Sequence, residues 1–166
     1  MRKACGAIAE RLRGSGLAAR FEAPEKLHVT LAFLGWVEPE AAGSIGGALE
    51  SAAQANPPFT LTLDKLGAFP HERKPRVVWI GARKQSKAFH DLSRSVRKEF
   101  EALGFSFDKD AVAHVTIARV KAGDAHLPML DIAPMKLVVR SLALFESIPA
   151  GSTTRYEIRA RHPLKL

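Results

Sequence analysis

The sequence predicts a mixed α+β fold in a single domain. Runs of alternating apolar and polar residues, typical of strands, are interspersed with runs of helical period. A pentapeptide also occurs twice in nearly the same form, as HVTLA at residues 28–32 and as HVTIA at residues 114–118. The 166 residues are enough for one ordinary domain, which buries roughly 70% of its unfolded surface. Since no segment resembles a linker, residues 1–166 are predicted to form one domain.

Six segments are predicted to contain strands and two to contain helices. The strand segments are the end of FEAPEKLHVTLAFLGWV and the whole of FTLTLDKL, PRVVWIGA, AVAHVTIARV, MKLVVRSLALFES and TTRYEIRAR. The helical segments are EPEAAGSIGGALESAAQA, with Pro39 in its first turn, and SKAFHDLSRSVRKEFEALGF, which ends at Gly104. Loops are predicted for GAFPHERKP, as a hairpin connection, and for KAGDAHLPMLDIAP, and a turn for PAGS.

The charge of the chain favours a polyanionic partner. Lys and Arg number 25 against 17 Asp and Glu, a formal net charge of +8. The basic residues cluster in HERKPR (residues 71–76) and in RYEIRARHPLKL at the end of the chain. Neither cluster is interleaved with aromatic residues as a stacking platform would be, so attraction to phosphate is expected more than reading of bases. A merely basic surface is the alternative.

Cysteine content and hydropathy predict a cytoplasmic protein. Cys5 is the only cysteine, so no internal disulfide can form. No run of 18 apolar residues could span a bilayer, and Glu10 and Arg11 interrupt the first apolar stretch. We therefore expect no membrane contact, and no obligate protein partner is evident.

The repeat extends beyond the pentapeptide. Phe21 and Phe107 each lie seven residues before the histidine of their copy, and each is followed by an acidic residue, Glu22 or Asp108. One long interval between two copies indicates two related halves more than a solenoid array. Two such halves could bring equivalent residues together.

Each copy places an imidazole and a hydroxyl on the same face of a strand. Alternation puts His28 with Thr30, and His114 with Thr116, opposite the apolar residues between them. Histidine exchanges protons near neutral pH, and a threonine hydroxyl can bind a phosphate oxygen. Two copies could therefore surround one phosphorus atom with two imidazoles and two hydroxyls.

The histidines have two other interpretations. A single His-x-Thr in a strand is most often a half-buried histidine with a backbone partner, but two near-identical copies favour function. Catalytic zinc normally takes three protein ligands, and neither strand offers a further ligand at a spacing such as HExxH. No metal and no cofactor are therefore predicted.

These motifs resemble the two-histidine (2H) phosphoesterases, and within them the RNA 2′,3′-cyclic phosphodiesterases first named 2′-5′ RNA ligases. The resemblance covers EKLHVTLAFLG, the LGAFP and RKPRVVWIG segments, HVTIARV, and the closing LALFES and GSTTRYEIRARHPL. It implies a bilobal fold of two pseudo-symmetric antiparallel sheets with outer helices around a central cleft. It also implies hydrolysis of RNA 2′,3′-cyclic phosphate ends to 2′-phosphomonoesters without a metal.

The resemblance also implies roles for particular residues. His28 is expected as the proton donor and His114 as the proton acceptor, with Thr30 and Thr116 holding the phosphate. Arg119 matches a basic residue often found just after the second motif and is expected to bind the substrate. Strict alternation places it on the opposite face from His114, so it reaches the phosphate only if the strand ends or twists there. Phe33 and Trp79 are expected in the core rather than stacked on a base.

The sequence departs from the family at its start. Members usually begin with an apolar strand, whereas this chain opens on MRKACGAIAERLRG, so the first strand of the fold is expected to be missing here. The first sheet is then expected to have an uncovered edge or to be completed by another segment. Two other functions remain open, namely 2′-5′ RNA ligation by the same acid and base, and binding of RNA ends without turnover.

Overall fold

The computed structural model describes residues 1–121, 126–151 and 153–165. Its helices are α1 (Arg2–Gly14), α2 (Ala42–Gln54) and α3 (Lys87–Glu101). Its strands are β1 (Ala19–Phe21), β2 (Phe59–Leu63), β3 (Lys65–Phe69), β4 (Val77–Gly81), β5 (His114–Val120), β6 (Met135–Val139), β7 (Ser141–Ala150) and β8 (Thr153–Pro163). Short 3₁₀ turns lie at Pro24–Lys26 and Pro39–Ala41. This mixture confirms the predicted α+β class.

The chain forms two compact units, each assembled from three segments. The first unit comprises Met1–Thr30, Leu61–Gln85 and Val112–Leu137. The second comprises Leu31–Thr60, Ser86–Ala111 and Val138–Leu166. Both copies of the His-x-Thr motif therefore belong to the first unit.

The first unit contains a four-stranded antiparallel sheet. Its strand order is β1-β5-β4-β3. One face of the sheet is apolar, and its central residues are almost completely buried, namely Val78, Ile80, Val115 and Ile117. Helix α1 adds Cys5, Ile8 and Leu12 to the buried set at helical spacing. The burial of this face leaves the opposite face of the sheet to carry the polar motif residues.

The second unit is built on two amphipathic helices. Helical spacing predicts one apolar stripe from Phe89, Leu92, Val96, Phe100 and Leu103. The first four are buried, whereas Leu103 lies beyond the end of α3 and is exposed. The Ser86 side chain caps this helix by accepting a hydrogen bond from the Phe89 backbone N–H. Helix α2 contributes Ile45 and Leu49 to the same core cluster. The hairpin β7–β8 forms a separate two-stranded sheet, from which Leu142 joins this core.

The strand predicted at the end of FEAPEKLHVTLAFLGWV is wrong. Among the described residues, the stretch 28–37 makes a single β-bridge, between Val29 and Val115, and no strand. A strand needs a hydrogen-bonded partner along its length, and one bridge does not supply it. Leu31 and Leu34 still pack on the core of the second unit, while Phe33 and Trp36 are exposed. The expectation that Phe33 lies in the core is therefore wrong as well.

Two of the predicted strands are each divided in the structure. FTLTLDKL separates into β2 and β3 at Asp64, and MKLVVRSLALFES separates into β6 and β7 at Arg140. Strand β2 pairs with β6, whereas β3 and β7 belong to other sheets. The change of sheet depends on which strand lies alongside, and the apolar pattern of one segment does not specify that partner.

The other predicted elements agree with the structure within a few residues. The connection between β3 and β4 is a hairpin loop, and β3 extends into GAF, which the sequence pattern assigns to the loop. Part of the predicted KAGDAHLPMLDIAP loop, residues 122–125, and Ser152 of the PAGS turn lie outside the described residues. No helix in the described part of the chain is long and apolar enough to cross a membrane.

The indole of Trp79 lies flush against the sheet because two glycines make room for it. A Cβ atom at Gly67 would lie 2.4 Å from two atoms of the indole ring, and one at Gly81 would lie 2.9 Å from it. Gly67 is opposite Trp79 on the neighbouring strand β3. Neither glycine has a positive φ, so the backbone conformation does not require glycine at these positions. The packing does, because a side chain would overlap the indole.

Replacing Gly67 with Ala should lower the free energy of unfolding by about 1–3 kcal/mol, because the methyl group overpacks the indole. The matched control is Gly47→Ala on helix α2, where a Cβ atom meets nothing within 4 Å. That substitution should raise stability by up to about 1 kcal/mol. Urea denaturation of both variants measures the difference. Equal stability of the Gly67→Ala variant and the original chain would contradict the packing argument.

Candidate active site

Strand β5 presents His114 and Thr116 on the face opposite the buried core. Val115 and Ile117 are almost completely buried, while His114 and Thr116 are half-buried. On the neighbouring strand β4, Gly81 lies opposite His114 and Trp79 lies opposite Thr116. Residues directly opposite each other in a sheet share a face. We call the surface that carries His114, Thr116, Trp79 and Gly81 the site face.

A β-bulge brings Arg119 to the site face as well. Thr116 pairs with Trp79, but Ala118 pairs with Val78, so Ile117 is an extra residue in β5. Ile117 and Ala118 are both buried in consequence, and Arg119 is exposed opposite Val77. Strict alternation would place Arg119 on the opposite face from His114, but it does not hold across the bulge, and the strand departs from regularity at the point where Arg119 needs it to.

The first motif lies beside β5 through one bridge. Val29 pairs with Val115 in antiparallel sense. This register places His28 next to Thr116 and Thr30 next to His114. His28 is half-buried and Thr30 is exposed. The four motif residues predicted from the repeat therefore lie on two adjacent chain segments, and each histidine neighbours the threonine of the other copy.

The two imidazoles are oriented in the same way. Nδ1 of His28 lies 2.7 Å from the carbonyl oxygen of Lys26, and Nδ1 of His114 lies 2.8 Å from that of Val112. In both copies the acceptor is the carbonyl two residues earlier in the chain. Because a carbonyl only accepts hydrogen bonds, Nδ1 must carry the hydrogen in each ring. The exchangeable position for chemistry is then Nε2 of each histidine.

Arginine side chains lie at one end of the site face. Arg20 on β1 is directly opposite Arg119 on β5. Like charges directly opposite each other in a sheet repel unless other groups compensate them. Nε of Arg119 donates to Oε1 of Glu22 at 3.1 Å, and the Glu22 side chain is largely buried. Glu22 therefore holds the guanidinium in place and offsets part of the charge.

The basic loop HERKPR adjoins the same end of the sheet. Its basic residues Arg73, Lys74 and Arg76 are all exposed. The backbone N–H of Arg76 donates to the carbonyl of Phe69, and its carbonyl accepts from the N–H of Val120. The backbone of the loop is thus tied to the ends of β3 and β5.

Aromatic rings lie on the other side of β5, away from His28. The rings of Phe69 and His114 are 5.2 Å apart and nearly perpendicular, at 87°. Trp79 lies 5.3 Å from Phe69 and 6.2 Å from His114. Trp79 is buried as expected, at 9% exposure, but Phe69 is 37% exposed. Sequence reasoning missed Phe69 because GAF has the composition of a loop, although alternation from Lys65 through Gly67 would have placed it on this face.

Cys5 takes no part in this site. It is buried in α1, and burial raises the pKa of its thiol. The thiol therefore stays protonated and unreactive, as a structural cysteine does. In the described part of the chain, no three His, Cys, Asp or Glu side chains are grouped closely enough to hold a metal ion.

Comparison with known proteins identifies the family of the chain. Residues 2–79 match the family described as LigT like Phosphoesterase. An RNA 2′,3′-cyclic phosphodiesterase of Aeropyrum pernix is 33% identical over 167 residues, covering 90% of this chain and 93% of the relative. One of Methanothermobacter thermautotrophicus is 31% identical over 153 residues, covering 87% and 83%. The chain belongs to the LigT-like phosphoesterase family.

Solved structures support the same assignment of this LigT-like phosphoesterase. TT0787 of Thermus thermophilus superposes with a TM-score of 0.82 at 26% identity, covering 99% of this chain and 91% of that one. LigT of Escherichia coli, crystallised with 3′-AMP, superposes with a TM-score of 0.75 at 27% identity, covering 99% and 90%. The predicted 2H phosphoesterase fold is therefore confirmed.

The hydrogen-bond pattern predicts the tautomer of both motif histidines. In their neutral forms, His28 and His114 should carry the hydrogen on Nδ1, because each Nδ1 faces a backbone carbonyl. Long-range ¹H–¹⁵N correlation spectra would show a protonated Nδ1 and an unprotonated Nε2. Variants His28→Gln and His114→Gln assign the two sets of signals. A neutral ring protonated on Nε2 at either position would contradict the geometry.

Proposed function

We propose that this chain hydrolyses RNA 2′,3′-cyclic phosphate ends to 2′-phosphomonoesters by general acid–base catalysis. The observation that carries the proposal is the pairing of the two motifs. Two histidines with identical backbone anchors lie on adjacent segments, each beside a threonine of the other copy. Such an arrangement offers two proton-exchanging nitrogens and two hydroxyls to one phosphate.

The names of the relatives support this substrate. The curated proteins that cover most of this chain are named RNA 2′,3′-cyclic phosphodiesterase. LigT of Escherichia coli has been crystallised with 3′-AMP, with ATP and with phosphate. Those ligands belong to that protein, and they agree in chemistry with a face that carries imidazoles, hydroxyls and arginines.

The reaction requires one histidine neutral and the other protonated. His114, as the base, takes a proton from water through Nε2 while the water oxygen forms a bond to phosphorus. The bond from phosphorus to the ribose O3′ breaks, and His28, as the acid, delivers its Nε2 proton to O3′. The products are a 2′-phosphomonoester and a free 3′-hydroxyl. Exchange of protons with solvent returns both histidines to their starting states. The assignment of acid and base follows the family resemblance.

The remaining residues act on the charge of the phosphate. Hydroxyls of Thr30 and Thr116 donate to its non-bridging oxygens, each next to the histidine of the other copy. Arg119 follows Thr116 along β5 on the site face. Its guanidinium offsets the negative charge that grows on the phosphate in the transition state. Glu22 positions Arg119 for this role.

We further propose that the reaction needs no metal and that the protein acts in the cytoplasm. The absence of a grouped ligand set among residues 1–121, 126–151 and 153–165 agrees with catalysis by histidines alone. The location rests on the single buried cysteine, which is typical of a reducing compartment.

Replacing either histidine should reduce turnover of adenosine 2′,3′-cyclic phosphate by about 10²- to 10⁴-fold, because each supplies one proton transfer. The original chain should show a bell-shaped dependence of kcat/KM on pH. His114→Ala should lose the fall on the acidic side, since that fall reflects protonation of the base. His28→Ala should lose the fall on the alkaline side, since that fall reflects deprotonation of the acid.

The matched control for these variants is His126→Ala, at an exposed histidine outside the two motifs. It should retain both the rate and the pH profile of the original chain. If the two active-site variants instead lost the opposite limbs, the roles of acid and base would be exchanged. A near-original rate in either variant would exclude that histidine from catalysis.

Chelation should leave the activity unchanged. Prolonged dialysis against EDTA and 1,10-phenanthroline removes bound divalent metal, and metal analysis of the dialysed protein verifies the removal. The rate with adenosine 2′,3′-cyclic phosphate should then equal that before dialysis, because histidines perform both proton transfers. Loss of activity that zinc or manganese restores would overturn the metal-free mechanism.

A further inference from the structure

Lys65 adds a cation to the site face at the end of the sheet away from Arg119. It is the first residue of β3 and lies opposite Gly81 on β4. Gly81 in turn lies opposite His114 on β5. One row of the sheet therefore runs from Lys65 through Gly81 to His114, whereas Arg119 lies near the other end of β5.

Two observations place the Lys65 side chain on the site face. Its ammonium lies 5.8 Å from the centroid of the Trp79 ring. Gly67, two residues along β3, is on the same face, because a Cβ atom there would meet that indole. The His114 ring lies 6.2 Å from the indole as well. The Lys65 ammonium and the His114 imidazole are therefore neighbours of the same ring.

The charge of Lys65 has no carboxylate to balance it. In the described ranges, the ion pairs of the chain do not include Lys65. The adjacent Asp64 is engaged elsewhere, since its Oδ1 accepts a hydrogen bond of 2.7 Å from the backbone N–H of Arg83. Arg119 differs in this respect, because Glu22 offsets part of its charge. Lys65 is thus a cation available to an anion on this face.

The row also leaves space between Lys65 and His114. Gly81 has no side chain, and the indole of Trp79 forms the floor beside it. Two strand spacings separate the backbones of Lys65 and His114, about 10 Å, and the lysine side chain leans over the indole from the far side. One ribose with the phosphate on its O5′ can span that separation. A bare exposed lysine indicates little, and covering the indole is the other use of this contact.

We propose that Lys65 binds the phosphate on the 5′ side of the terminal nucleotide, and so makes the protein bind RNA ends more tightly than cyclic mononucleotides. The inference rests on the proposed function, since it takes the reacting phosphate to lie between the two motifs. An ammonium donates charge-assisted hydrogen bonds to phosphate oxygens. Such a contact positions the chain and is independent of base sequence.

The test compares two substrates that differ by one phosphodiester. The first is adenosine 2′,3′-cyclic phosphate, and the second is the same nucleotide with a methyl phosphodiester on O5′. The original chain should have the lower KM for the second substrate. Lys65→Gln should raise that KM about fivefold at low salt, as expected for an exposed ion pair, with kcat unchanged. Lys65→Arg, which keeps the charge, should retain the KM of the original chain.

A salt series distinguishes charge from packing. For the original chain, kcat/KM of the second substrate should fall more steeply with salt than that of the first, because salt screens an exposed contact. For Lys65→Gln the two slopes should be equal. If the role of Lys65 were to cover the indole, Lys65→Gln would change both substrates alike.

The matched control is Lys3→Gln, which removes the same charge from an exposed lysine of α1. It should leave the preference for the second substrate as it is in the original chain. A preference that Lys65→Gln retains, or an equal change for both substrates, would overturn the phosphate contact. Absence of turnover of either substrate by the original chain would instead overturn the proposed function. The two failures are thus distinguishable.

Discussion

The site depends on one β-bridge, between Val29 and Val115. Each valine lies next to the histidine of its motif, and the antiparallel register of the bridge sets His28 beside Thr116 and Thr30 beside His114. The two motifs are far apart in the chain, so bringing them together costs loop-closure entropy. The buried face of β5 offsets that cost, since Val115 and Ile117 are almost completely removed from water. The geometry of the candidate site is in this sense a consequence of core packing on the other side of the strand.

The bulge at Ile117 has an equally local cause and a similar effect. Without the extra residue, Arg119 would follow Val115 and Ile117 onto the apolar face, where an unpaired guanidinium costs several kcal/mol. With it, two consecutive apolar residues are buried and Arg119 is turned to the site face, where Glu22 accepts a hydrogen bond from it. Bulges often redirect a side chain next to an active site. The extra residue thus determines whether β5 presents two polar side chains to the site face, His114 and Thr116, or three, with Arg119.

Much of this arrangement could be predicted from the sequence, because it follows from side-chain alternation. A period of two residues is enough to place His28 on the same face as Thr30, and His114 on the same face as Thr116. The position of Arg119 could not be predicted, since a bulge is set by the register between strands and leaves no mark in the alternation of one strand. The strand predicted around Leu31 is absent for a similar reason. Its sequence is apolar enough for a strand, but whether another strand lies alongside to accept its hydrogen bonds cannot be read from the segment itself. Phe69 was missed because a Gly-containing stretch before Pro70 is typical of a loop.

The flanks of the site face differ in chemistry in a way that matches the polarity of a nucleotide. The motif residues occupy the middle, the arginines of β1 and β5 lie at one end, and the aromatic rings of β3 and β4 lie on the side away from His28. The two histidines have the same backbone anchor, so the anchor cannot tell acid from base. Their surroundings differ, because the ring of His114 lies near those of Phe69 and Trp79, whereas His28 lies beside Thr116 on the other side of β5. Under the proposed mechanism, the division of a nearly symmetric pair of histidines into acid and base would depend on these surroundings rather than on any difference between the two motifs.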